Sequence, residues 1–172
     1  SLPYAIDRKP GDLTLAQITE SAISFLTKDN KKGFFLMVEG GKIDWACHDN
    51  DAANAVREIM DMDEAVKVAL EFYKKHPKET LIVITADHET GGITLGKKSY
   101  HANLKVLLHQ KQSLGALSNK ITELRKQKSH TVSWEEIKTL LGQTMGFWNE
   151  VPVDWENEKI LRDAYEASFN TK

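Results

Sequence analysis

The chain of 172 residues is 41% hydrophobic and 28% charged, ordinary for a globular protein with one good core and unlike a disordered or fibrous chain. Its formal net charge of -2 gives no electrostatic reason to expect nucleic acid or an anionic membrane as a partner, and no apolar run approaches the roughly 20 residues that span a bilayer. Cys47 is the single cysteine, so no disulfide can form within the chain, and oxidising export is neither required nor excluded.

The opening stretch, SLPYAIDRKPGD, has two prolines, no initiating methionine and neither the basic nor the apolar part of a signal peptide. It reads as a connection inside a longer protein or as the start of a mature product. TLAQITESAISFL (14–26) predicts a helix: Thr14 and Gln17 have capping-box spacing, and Leu15, Ile18, Ala22, Phe25 and Leu26 share a face. FFLMVE (34–39) is a short continuous apolar run ending in an acid, which predicts a strand covered on both faces.

A helical pattern returns from about Asp49 to Tyr73, with DMD (61–63) as a place where it could break. LIVITA (81–86) predicts a second buried strand, rich in β-branched residues. Strand, helix and strand make a βαβ unit, hence parallel strands and a right-handed crossover. After residue 98 the pattern is helical, with apolar repeats around Leu104–Leu108 and Leu114–Leu124, a second capping-box match at SWEE (133–136), and a last helix from about Asp154 to Phe169. The expected class is α/β: a partial parallel-sheet core over 1–98 and a mostly helical appendage or insertion over 99–172. Trp134, Trp148 and Trp155 read as packing residues of that appendage, with an exposed aromatic patch as the alternative.

Three elements carry metal-capable groups: Glu39, the pair Asp44 and His48, and the adjacent Asp87 and His88. Asp44 and His48 are four apart, so one helical turn or a compact loop points both the same way. A carboxylate with an imidazole is half of a zinc shell, and Glu39 offers the hard oxygen that magnesium prefers. Taken singly, an Asp-x-x-x-His pair is commonly a surface ion pair or a helix cap. In a parallel sheet, however, Glu39, Asp87 and His88 would all lie at the carboxyl ends of strands, where ligands bind.

VEGGKIDWACHDNDAAN and TADHETGG resemble the metal-binding segments of bacterial alkaline phosphatases, and LPYAIDRKPGDLTLAQITESAI resembles the stretch leading into them. The resemblance is close over about residues 2–96 and looser beyond. It implies a phosphomonoesterase acting on phosphate monoesters, with Asp44 and His48 on a first zinc, Asp87 and His88 on a second, and Glu39 on magnesium. Two metals can stabilise both the attacking and the leaving oxygen of an in-line displacement. It further implies periplasmic or secreted localisation and a possible homodimer.

Several parts of the family's machinery have no match here: a nucleophilic serine in an Asp-Ser-Ala context, a phosphate-clamping arginine, an N-terminal aspartate and a final His-Thr-type histidine. Glu20-Ser21-Ala22 mimics the serine motif but lies inside an amphipathic helix. The chain is therefore expected to be a middle piece, inactive alone and completed by N- and C-terminal segments of the same enzyme. Trp45 stands where several relatives carry a basic residue or histidine, Cys47 reads as a small packed residue, and Gly91-Gly92 reads as a tight turn. The alternatives are a phosphoglycerate or phosphosugar mutase, whose Thr-Ala-Asp-His usually continues with glycine rather than Glu89, and a non-enzymatic metal-binding module.

Overall fold

The computed structural model describes residues 2–90, 103–128 and 132–169. They form two compact units, Ser1–Thr94 and Leu95–Lys172. The first holds α1 (Leu15–Thr27), α2 (Gly41–His48) and α3 (Ala52–Lys75), preceded by a 3-10 turn, Ala5–Asp7. The second holds a 3-10 helix, Leu104–His109, then α4 (Leu114–Lys128), α5 (Trp134–Met145) and α6 (Trp155–Phe169).

Helix α3 is the spine of the first unit. At 24 residues it is about 36 Å long at the standard rise, and α1, α2 and the N-terminal turn all pack against it. Its buried residues include Ala53, Ala55 and Ala65, and α2, which packs on it, buries Ala46 fully. Such small side chains let helix backbones approach closely. The acidic DMD segment does not break α3. Asp61 takes a two-pronged ion pair from Arg8, with distances of 2.9 and 2.8 Å, and Asp63 pairs with Lys67 at 2.9 Å. The capping box predicted for α1 is formed, with Thr14 Oγ1 accepting from the Gln17 N–H and Gln17 Oε1 accepting from the Thr14 N–H.

The α/β expectation is overturned: among the described residues the protein is all-helical, 62% helix and 1% strand, with no sheet. Among the described residues the single bridge joins Phe147 to Val151. The two apolar runs, 34–39 and 81–86, are not paired, and Phe35 and Leu81 are 88% and 86% exposed. The physical reason is that an apolar, β-branched run expresses a preference for burial and extended backbone, whereas a strand needs a neighbour that completes its hydrogen bonds. Phe34 packs edge-on to Phe72 of α3 at 5.6 Å. Among the described residues there is thus no strand-end rim, and the convergence of site residues comes from α2 and from the segment around His88.

The second unit has its own core: Leu117, Val132, Trp134, Ile137, Leu141, Met145, Tyr165 and Phe169. The capping box at Ser133 and Glu136 forms, and α5 ends at Gly146, whose φ of 75° favours glycine. A Cβ there would lie 2.7 Å from that of His109. The Tyr165 hydroxyl donates to the Val132 carbonyl at 2.7 Å, tying α6 to the entry of α5. Trp134 and Trp148 pack edge-on at 6.1 Å, but Trp155 is 75% exposed, contrary to its expected packing role. Its place in the first turn of α6 leaves it outside the core.

Glu58 of α3 is 5% exposed and accepts a hydrogen bond from the Ala5 N–H. Burial pushes its carboxyl upward, and the Ala5 N–H only partly opposes this. A carboxyl raised by folding binds its proton more tightly in the folded state, so stability falls as pH rises from the unfolded value through the folded one. Glu58→Gln keeps an acceptor for Ala5 without a charge. It is expected to raise the thermal midpoint at pH 7 and to leave it nearly unchanged near pH 4; a lowered midpoint at pH 7 in circular dichroism melts would contradict this.

Candidate metal centre

Helix α2 opens on Gly40 and Gly41, and a Cβ on Gly40 would fall 2.9 Å from Ile43 Cδ1. The helix ends at His48, and the chain turns sharply through Asn50, whose φ of 53° suits asparagine better than most residues. The Asp51 N–H donates back to the Ala46 carbonyl at 2.9 Å, and the Asp51 carboxylate caps α3 through the Asn54 N–H. The last turn of α2 is thereby fixed against the first turn of α3.

On α2, Asp44 and His48 face one another one turn apart, with His48 Nε2 3.3 Å from Asp44 Oδ1. His88 arrives from the segment after Ala86 and places its Nε2 3.6 Å from the same oxygen. One ligand atom from each of Asp44, His48 and His88 lies within 4.8 Å of the others, on an accessible face. Donors on a tetrahedral zinc with bonds of about 2.0–2.2 Å stand about 3.4 Å apart. Both imidazole-to-carboxylate distances are close to that spacing, and one carboxylate with two imidazoles is a donor set of the chemistry zinc takes.

His88 is prepared for such a role. Its Nδ1 lies 2.7 Å from the Glu89 carbonyl. A carbonyl can only accept, so Nδ1 carries the proton and Nε2 presents its lone pair toward Asp44, the arrangement typical of a ligating histidine. The Glu89 carbonyl, then Asp87 and Asp44, raise the His88 imidazole above its ordinary value.

The remaining candidates sit around this cluster. Asp87 Oδ1 accepts from the His88 N–H at 3.0 Å, and its Oδ2 is 3.8 Å from His88 Nε2, so Asp87 borders the three without joining them. The Glu39 carboxylate folds over the start of α2, with Oε1 3.1 Å from where a Cβ on Gly41 would lie. Trp45 is exposed and Cys47 is a half-buried free thiol. Gly91 and Gly92 lie outside the described residues. The Glu89 carbonyl was not among the sequence candidates, and a backbone group leaves no mark in a sequence.

Comparisons with known proteins identify the family of the chain. Residues 1–158 match the family described as alkaline phosphatase, and the chain belongs to that family. It is 44% identical to alkaline phosphatase 4 of Bacillus subtilis over 149 residues, 81% of this chain and 32% of that protein. It is 53% identical to alkaline phosphatase 3 of the same organism over 95 residues, 55% of this chain and 20% of that protein. The crystal structure of a cold-active alkaline phosphatase from a psychrophilic Shewanella matches 99% of this chain and 38% of its own, with a TM-score of 0.75 at 29% identity. The chain thus spans between a fifth and a third of the length of these two curated relatives.

Substituting both imidazoles, His48→Ala with His88→Ala, is expected to weaken zinc binding to the chain by at least about tenfold, measured by titration calorimetry. Equal affinity of the double variant and the parent would place the metal elsewhere.

Proposed function

We propose that the chain carries part of the zinc and magnesium site of a phosphomonoesterase that converts phosphate monoesters to an alcohol and phosphate. The observation that supports this best is the cluster of Asp44, His48 and His88 in a chain of the alkaline phosphatase family. In this reading Asp44 and His48 hold a first zinc, Asp87 and His88 a second, and Glu39 magnesium. The metals, when bound, supply positive charge where oxygen anions form and a route to a nucleophile at neutral pH. Asp44 brings the negative charge that balances the cation. The Glu89 carbonyl keeps His88 in its ligating tautomer. Glu89 and Thr90 after Asp87-His88, together with the family match, favour the phosphatase over the mutase reading.

The nucleophile and the phosphate clamp belong, in this reading, to parts of the enzyme other than these 172 residues. No Asp-Ser-Ala occurs in the sequence. The whole enzyme is exported, to the periplasm or beyond, and the unpaired apolar runs favour association with the missing segments or with a second copy. Among the described residues no helix is long and apolar enough to cross a membrane.

Activity separates the part from the whole. The purified chain with zinc and magnesium is expected to hydrolyse an aryl phosphate no faster than buffer, because a two-step mechanism fails without its nucleophile. Grafted in place of the matching segment of Bacillus subtilis alkaline phosphatase 4, it is expected to support hydrolysis that Asp44→Asn lowers by about a hundredfold. A folded graft indifferent to Asp44→Asn, or robust turnover by the isolated chain, would refute the proposal.

A further inference from the structure

Helix α2 holds two of the three clustered ligands; its last turn is fixed against α3, but its first turn has no side-chain cap. Helices of eight residues do not persist unaided in water. Its single buried residue is Ala46, and its N-cap, Gly40, makes no side-chain hydrogen bond. Asp44 in the first turn complements the positive end of the helix dipole, whereas Lys42, a cation in the same turn, opposes it.

The surroundings of Lys42 offset this. Its Nζ lies 4.0 Å from the centre of the Trp45 ring, on its own helix, and 4.7 Å from the centre of the Tyr4 ring. Both separations are within the range of cation–π attraction. Glu58 of α3 lies within electrostatic reach of the same ammonium. Tyr4 belongs to the N-terminal segment, which is fastened to α3 by the Ala5 N–H on Glu58 and by the Arg8 fork on Asp61. A continuous path of contacts therefore runs from α3 through the N-terminal segment to Tyr4, then through Lys42 to α2. Trp45, at its end, adjoins Asp44, the residue whose carboxylate faces both imidazoles.

We propose that Lys42, held between the rings of Tyr4 and Trp45, is a positioning residue that sets the rotation of α2 and so aims Asp44 and His48 at a shared metal ion. This rests on the metal-site reading above. Lys42 takes no part in ligation; its charge links two aromatic rings on separate segments, and a rotation of α2 would carry the Asp44 carboxylate away from His88. Arginine, also cationic and able to stack on aromatic faces, can substitute for it, whereas methionine keeps the bulk without the charge.

The 172-residue chain is tested as parent, Lys42→Met and Lys42→Arg, by zinc titration calorimetry and by amide hydrogen exchange without metal. Lys42→Met is expected to weaken zinc binding about tenfold and to speed exchange at residues 46–48, with both effects reversed in Lys42→Arg. Zinc affinity unchanged in Lys42→Met overturns the positioning role, whatever the exchange shows. Absence of zinc uptake by the parent refutes the metal-site reading and with it the link to α2, whereas unchanged exchange in Lys42→Met refutes the clamp itself.

Discussion

The tight corner between α2 and α3 governs the first unit. Ala46 of α2 is fully buried, the Asp51 N–H closes onto its carbonyl, and the Asp51 carboxylate, itself buried, caps the helix that follows. A larger residue at 46 would push the short helix off the long one, and Asp44 and His48 would move with it. The left-handed turn at Asn50 lets the chain reverse in so few residues. One buried methyl group and one cap thus hold Asp44 and His48 in register with α3.

The charges around α3 serve the same end by another route. Asp61 and Glu58 are the acids in α3 that take contacts from the N-terminal segment, through Arg8 and the Ala5 N–H respectively. Burial of Glu58 opposes its ionisation, so that contact is held at some cost to stability at neutral pH. The Arg8 fork is the stronger kind of contact, two parallel charged hydrogen bonds in one plane. Together they bring Tyr4 over Lys42.

Local features were the legible ones. The capping boxes at Thr14 with Gln17 and at Ser133 with Glu136 need only residues three apart, and both formed. The Asp44–His48 spacing worked for the same reason, since a helical turn brings residues four apart together. The sheet was not legible, because FFLMVE and LIVITA state what they prefer to bury but not which segment would pair with them. The DMD stretch was misleading in the opposite sense: it resembles a break, but partners at Arg8 and Lys67, one of them more than fifty residues away, make it a good helix. That His88 shares Asp44 with His48 depends on the path of the backbone after Ala86, and its tautomer on a carbonyl. No side-chain pattern encodes either.

The most direct measurement is X-ray absorption at the zinc edge of the chain loaded with one equivalent of the metal. Nitrogen and oxygen donors at about 2.0–2.2 Å, with the outer-shell scattering of two imidazoles, are the result expected of a centre built from Asp44, His48 and His88. A shell without imidazole scattering, or a sulfur at about 2.3 Å from Cys47, would contradict it.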